Sequence, residues 1–115
     1  EFNKKLEKAD IKSGFFYGLG GFLKAELSFY ELKKKQYRKK IFKDTFEVLS
    51  LVGNVSELDG KLFTHCHAVL GKRDFKTFGG HLENAIVGGT LEVFFMPVDK
   101  MVRKHDEETG LKLVS

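Results

Sequence analysis

The sequence predicts one α+β domain covering residues 1–115, a mainly antiparallel β-sheet with one or two packed helices. The chain of 115 residues is long enough for one domain and too short for two. Most of it consists of short apolar runs, rich in Val and Phe, that end at Gly or Pro, as strands do. Only the N-terminal stretch has helical spacing, so we expect a sheet covered by a short helix.

The first element is an amphipathic helix. Phe2, Leu6 and Ala9 are spaced by four and three residues, with charged residues between them. This spacing places the three apolar side chains on one face of a helix.

Strands follow from residue 15 onward. The predicted strands are residues 15–19, buried and ending at Gly20-Gly21, then 23–30, 37–42, 46–52 ending at Gly53-Asn54, 62–70, 75–78 and 86–96. Asp59-Gly60 predicts a hairpin turn, and Pro97 ends the last strand. Glycines inside the strand-like runs indicate bulges or close backbone packing, and the polar tail contains a turn at 108–110.

The basic charge has one local origin. The net charge is +4, and residues 33–40 hold six of the 20 Lys and Arg residues without any acidic one. These cations could contact the phosphates of DNA; the alternative is a solvated hairpin tip or a charged edge that prevents aggregation. The six residues are Lys33, Lys34, Lys35, Arg38, Lys39 and Lys40.

The single cysteine, Cys66, excludes an internal disulfide and is typical of a reducing compartment. No apolar run approaches the ~18 residues of a membrane helix, and no secretory signal is present in the sequence, which begins at Glu1. We therefore expect a cytoplasmic location and no membrane partner.

Three histidines form the best candidate site. His65 and His67 lie on the same face of a predicted strand, about 7 Å apart at ~3.3 Å per residue, whereas Cys66 faces the other side. His81 follows a turn and a short strand that can fold back over this face, and two glycines before it allow close backbone approach. The three would bind Zn²⁺ or another divalent first-row metal and leave a position for water or a small-molecule ligand. Alternatively, His-X-His is an ordinary strand pattern without a metal.

Two other polar residues have alternative interpretations. Glu47 lies in an otherwise apolar strand, where a carboxylate needs a partner. It could be a catalytic acid or base near the metal, but an anchor for backbone amides is the preferred interpretation. His105, in the charged tail, is expected to be exposed.

Four motifs follow one another in a fixed order along the chain: Phe46-Glu47-Val48-Leu49-Ser50-Leu51-Val52-Gly53-Asn54, then Asp59-Gly60-Lys61, then His65-Cys66-His67-Ala68-Val69-Leu70-Gly71, then Phe78-Gly79-Gly80-His81-Leu82. This ordered set resembles the plants-and-prokaryotes-conserved (PPC, also PCC) domain, and the resemblance covers nearly the whole chain. Each motif alone is weak, whereas the ordered set is specific.

The resemblance implies an α+β fold assembled as a homotrimer, with a zinc site at His65, His67 and His81. It also implies a further strand before the first helix, which the sequence from Glu1 does not contain. In plants the domain accompanies a DNA-binding AT-hook, and prokaryotic members carry a DNA-binding label by that association; no Arg-Gly-Arg-Pro hook occurs here.

Two hypotheses follow. In the first, the chain is a DNA-associated or partner-binding module with a structural metal. In the second, it is a zinc-dependent lyase or hydrolase acting on a small carbonyl compound, because the fold is similar to acetolactate decarboxylase, in which three histidines hold a catalytic zinc.

Overall fold

The computed structural model describes residues 2–114, which form one short helix and six strands. In chain order these are α1 (Phe2–Lys8), β1 (Gly14–Glu31), β2 (Gln36–Leu58), β3 (Lys61–Gly71), β4 (Thr77–Pro97), β5 (Arg103–His105) and β6 (Lys112–Val114). Among residues 2–114 we find no helix with the length and apolar character needed to cross a bilayer.

The four long strands form one closed antiparallel sheet. β1 pairs with both β2 and β4, and β3 pairs with the other side of each, so the strands close on themselves. β5 and β6 form a separate two-stranded sheet. The predicted mainly antiparallel sheet with one short helix is therefore confirmed.

The strands are longer than the sequence predicts, and the predicted ends at Gly20-Gly21, Gly53-Asn54 and Gly79-Gly80 are wrong. The residues at each of these positions stay hydrogen-bonded to a neighbouring strand, so the strand continues through them. A Cβ on Gly53 would lie 2.4 Å from the carbonyl oxygen of His65, so neighbouring strands approach more closely there than any other residue allows. The prediction of bulges is confirmed around Gly20, where the register shifts against both neighbouring strands.

Two other local predictions need correction. Residues 15–19 are not wholly buried: the strand alternates, with Phe16 inside and Phe15 and Tyr17 exposed. The predicted strand 75–78 begins only at Thr77. Phe75 lies in the preceding turn with a φ of 69° and a side chain that is 93% exposed.

The core lies inside the closed sheet, and α1 covers part of it. Phe22, Val55 and Leu70 are fully buried, and Leu6 of α1 joins the same cluster. The helix ends in a C-terminal cap. Asp10 has a left-handed φ of 57°, and the amide of Ile11 donates to the carbonyl of Leu6 at 2.9 Å.

The turn between β2 and β3 confirms the predicted hairpin. Asp59 and Gly60 have φ angles of 51° and 77°, the left-handed pair that a tight two-residue hairpin requires.

The C-terminal hairpin, residues 103–114, is fixed to the closed sheet by Arg103. The Arg103 side chain is only 7% exposed. Its guanidinium donates to Ser56 Oγ at 2.8 Å, to Asn54 Oδ1 at 2.6 Å and to the Lys112 carbonyl at 2.7 Å. A second attachment comes from the Tyr30 hydroxyl, which donates to the Thr109 carbonyl. These contacts hold the polar tail against the face of the sheet that carries the histidines.

Candidate metal-binding cleft

The hairpin of β3 and β4 brings the three histidines together. The turn at residues 72–76 sets a register in which His67 pairs directly with His81 across the two strands. Paired residues of an antiparallel ladder lie on the same face, and His65 is on that face because it is two residues from His67. The structure thus brings together all three predicted residues, although His81 is on a neighbouring strand and not beyond a separate short one.

The ring nitrogens converge on one point. His65 Nε2 and His67 Nε2 are 3.3 Å apart, and one nitrogen of each of the three rings lies within 4.8 Å of the other two. A tetrahedral zinc ion with bonds of about 2.0–2.1 Å requires its ligand nitrogens to be separated by about 3.3 Å. One pair already matches this distance, and the nitrogen of the third ring lies within 4.8 Å of both.

Within the described part of the chain, no fourth protein ligand joins the cluster. Cys66 lies between the two histidines in sequence but faces the opposite side, where it packs against the core. Burial raises the pKa of the Cys66 thiol to about 11, so it remains a neutral thiol. The donor set is therefore three imidazoles with at least one coordination position open.

The surroundings of His65 and His81 favour the neutral imidazole, which is the form that binds metals. Partial burial, followed by the charges of His81, His67 and Arg103, lowers the pKa of His65 to about 4. Burial also lowers the pKa of His81, although the nearby Glu83 carboxylate opposes this effect. Glu83 Oε2 is 3.7 Å from His81 Nε2, too far for a hydrogen bond, and with a neutral imidazole the contact is not an ion pair at pH 7.

Close packing of the strands explains the two glycines before His81. A Cβ on Gly79 would lie 2.4 Å from the carbonyl oxygen of Ala68, and one on Gly80 would lie 3.0 Å from that of Ser28. The close backbone approach predicted from the glycines is confirmed, because a larger residue would push β4 and its histidine away from β3 at Gly79 and away from β1 at Gly80.

The three histidines lie in an open cleft of about 990 Å³. Its walls are the end of the β1–β2 hairpin and the C-terminal hairpin, and the side chains include four aromatic rings. These are Phe29, Tyr30, Tyr37 and Phe63. The Tyr37 ring packs against the His81 ring, with centroids 5.1 Å apart. A molecule from solution can therefore reach the converging nitrogens.

Glu83 is a cleft residue that the sequence analysis missed. It is the unpaired residue of a bulge, since Leu82 and Asn84 pair with consecutive residues of β1. Its carboxylate accepts a hydrogen bond from Ser28 Oγ at 2.8 Å. The available signal was its position two residues after His81, which placed it near the same strand face. Arg103 was also missed, and nothing local in the tail distinguishes it from its charged neighbours.

The structure does not bring Glu47 to the cleft. Glu47 is exposed and pairs with Gly21 and Gly71, five residues along β2 from Val52, the partner of His67. The expectation of a carboxylate needing a partner in an apolar strand is wrong, because the strand alternates and Glu47 is on its solvent side. His105 is exposed, as predicted.

The six cations of the basic segment are all exposed at the β1–β2 hairpin. Lys33, Lys34 and Lys35 form its turn, and the other three begin β2. Lys35 and Lys39 also line the cleft, so the basic segment and the histidine site are adjacent. The fold and the site together define a small α+β domain with an accessible three-histidine cleft.

Comparison with known proteins identifies the family of this domain. The family model of the Plants and Prokaryotes Conserved (PCC) domain matches residues 2–99. The chain belongs to this family, as its motifs predicted. No match was found among curated protein sequences.

Crystal structures of related proteins have the same fold. A metal-containing protein from Archaeoglobus fulgidus is 39% identical with a TM-score of 0.92, covering 99% of this chain and 81% of that one. A plant- and prokaryote-conserved protein from Pyrococcus horikoshii is 31% identical with a TM-score of 0.92, covering 99% and 80%. A proposed DNA-binding protein from Bacteroides thetaiotaomicron is 28% identical with a TM-score of 0.94, covering 99% and 80%.

Proposed function

We propose that residues 1–115 act as one cytoplasmic domain that binds a divalent first-row metal, zinc in particular, through His65, His67 and His81. The observation that carries this proposal is the convergence of three imidazoles on one point in an open cleft. A structural zinc is normally enclosed by four protein ligands, whereas three ligands and an open position are typical of zinc that meets a small molecule. The metal-containing relative from Archaeoglobus fulgidus supports the presence of a metal.

An enzymatic role is compatible with the open cleft: the metal site would serve a lyase or hydrolase that acts on a small carbonyl compound. A zinc ion in such a site polarises a bound carbonyl or lowers the pKa of a bound water to ~7. The protein would contribute Glu83, the carboxylate beside His81, to orient that ligand, and the C-terminal hairpin to enclose it. Glu47 has no part in this proposal.

Metal binding is tested on protein purified without a His-tag, by elemental analysis and by calorimetric titration with Zn²⁺. We expect one zinc ion per chain. The variant H81A should lose it, because two histidines leave too few ligands, whereas the control H105A, at an exposed histidine outside the cleft, should keep it. Equal zinc binding by both variants would contradict the proposal.

DNA association is the second candidate, and the exposed basic hairpin favours it. The related protein from Bacteroides thetaiotaomicron is itself a proposed DNA-binding protein. Because Lys35 and Lys39 also line the cleft, the clean test changes only the four cations that do not. These are Lys33, Lys34, Arg38 and Lys40.

Duplex DNA should bind more weakly at about 200 mM than at about 50 mM salt, because binding releases counterions from the phosphates. Replacing the four cations by Ala should flatten this salt dependence, and H81A should leave it unchanged. No detectable binding of the unmodified protein at the lower salt would refute this candidate.

We also propose that the chain assembles as a homotrimer. Large apolar side chains lie side by side on the outer face of the closed sheet, where Tyr17 (51% exposed) packs against Phe94 (63% exposed). Phe15 and Met96 form the next pair on the same face. Burying such a patch in an interface stabilises a small domain. Light scattering should give three times 13.1 kDa, and the variant F94E should shift the mass towards that of the monomer.

A further inference from the structure

The cleft around the histidines carries an excess of positive charge. Lys35, Lys39, Arg103 and Lys112 line it, and of the described lining residues only Glu83 is acidic. A divalent ion held by the three imidazoles would add further positive charge. A solvated surface normally mixes both signs, so this local excess favours an anionic occupant.

Two of the four cations are already engaged by the protein. The Lys35 ammonium donates to the Glu107 carbonyl at 2.6 Å, and the Arg103 guanidinium makes its three hydrogen bonds within the fold. These contacts fix the positions of both side chains, so the two residues contribute mainly charge to the cleft.

The other two cations, Lys39 and Lys112, are engaged less closely, since the ion pair from Lys39 to Glu83 is long. Lys39 Nζ is 4.0 Å from Glu83 Oε1, beyond hydrogen-bonding distance, and its side chain is 54% exposed. Lys112 Nζ lies 5.9 Å from the centre of the Phe63 ring, and among the ion pairs of residues 2–114 none includes it. They come from different walls, the β1–β2 hairpin and the C-terminal hairpin, and both line the cleft that contains the histidines.

We propose that the cleft binds a small organic oxyanion, a carboxylate or a phosphate monoester, whose anionic group is held by Lys39 and Lys112 beside the metal. This inference rests on the proposed metal-binding function of the same site and adds its ligand class. A carboxylate or phosphate oxygen both accepts hydrogen bonds from ammonium groups and suits the open position of a zinc ion.

The dimensions and walls of the cleft indicate that the anion carries an organic body. A volume of about 990 Å³ is far larger than an inorganic ion needs and is of the size that holds small organic ligands. The rings of Phe29, Tyr30 and Phe63 supply apolar wall area in the same cleft as the charges. The concave shape favours a compact ligand over a stiff duplex, whose phosphates would meet the exposed hairpin tip first.

The experiment measures binding to zinc-loaded protein by isothermal titration calorimetry with three probes of similar shape. Benzoate and phenyl phosphate carry the two candidate anions, and benzamide is the neutral counterpart of benzoate. We expect at least one of the anions to bind about tenfold more tightly than benzamide, because hydrogen bonds to charged groups contribute more than neutral ones. The anion that binds more tightly shows whether the cleft prefers a carboxylate or a phosphate monoester.

The variants K39Q and K112Q should each weaken binding of the preferred anion by about five- to tenfold. The matched control K40Q changes the exposed lysine next to Lys39 that does not line the cleft, and it should leave the affinity unchanged. Each variant is also titrated with zinc, so that a loss of anion binding through a damaged fold or metal site is recognised.

The possible failures are distinguishable. Protein that binds zinc but binds benzamide as well as both anions would overturn the inference and leave the metal proposal intact. Anion binding with the same lysine dependence in protein that takes up no zinc would overturn the metal proposal and leave the anion site. If K39Q and K112Q weaken duplex DNA binding but not the binding of either anion, the lysines serve nucleic acid and the inference is wrong.

Discussion

Acidification of the metal-free protein should reveal the depressed pKa of His65. In the folded chain this pKa is about 4, against an ordinary value of 6.5. As the pH falls below 6.5, the unfolded chain takes up a proton on this imidazole that the folded chain does not accept. The contribution of His65 to the free energy of unfolding is therefore fully present above pH 6.5 and falls until the pH reaches about 4, below which both states are protonated.

The size of the effect follows from the shift. Each pKa unit corresponds to about 1.4 kcal/mol, so a fall from 6.5 to about 4 gives an upper limit of about 3 kcal/mol. The His65 ring is only partly buried, and solvent screening reduces this limit. We expect the imidazole to remove about 1–2 kcal/mol of unfolding free energy between pH 7.5 and pH 4.5.

The assay is urea denaturation followed by circular dichroism, in the presence of a chelator, at several pH values. The variant H65Q keeps a polar side chain that does not titrate, so its stability should fall by about 1–2 kcal/mol less than that of the unmodified protein. The control H105Q, at an exposed histidine of β5, should follow the unmodified protein. Parallel pH profiles for the unmodified protein and H65Q would refute the reasoning.

Three further predictions concern the frame of the cleft. G53A should lower the unfolding free energy by about 2–3 kcal/mol in urea denaturation, since its Cβ would lie 2.4 Å from the His65 carbonyl oxygen; an unchanged midpoint would show that the strands can separate there. R103M should cost about 2–3 kcal/mol and increase hydrogen exchange in the C-terminal hairpin, because three hydrogen bonds are lost. C66A should bind zinc with the stoichiometry of the unmodified protein, because the thiol faces the core; reduced zinc binding with an intact fold would make the thiol a ligand.

Local patterns were sufficient to predict the helix, the main strand regions and the three histidines as a candidate site, but not the strand ends or the C-terminal hairpin. Alternation placed His65 and His67 on one face, and the Asp59-Gly60 pair predicted the hairpin that precedes them. The exact position of His81 depended on the turn at residues 72–76, where Phe75 adopts a left-handed conformation that its side chain does not favour. Tertiary pairing overrode local preference there, so the strand was predicted to begin too early.

The walls of the cleft could not be predicted, because they depend on contacts between distant parts of the chain. Arg103 is 47 residues from Ser56, and Ser28 is 55 residues from Glu83. No periodic pattern connects such residues. For Glu47 the local pattern was itself misleading. The apolar strand sequence predicted burial, whereas every second side chain of this part of β2 is exposed in the closed sheet.

The same alternation places the histidine site and the exposed apolar residues on one surface. His67 pairs with Val52, Val52 with Tyr17, and Tyr17 with Phe94, so these four side chains form a row across the outer face of the closed sheet. An interface built on Tyr17 and Phe94 would therefore extend towards the rim of the metal-binding cleft. Metal content and oligomeric mass should therefore be measured on the same sample of F94E. Monomers that keep one zinc ion per chain would show that each chain holds its metal alone. Monomers that lose the zinc would show that the neighbouring chain supports the site.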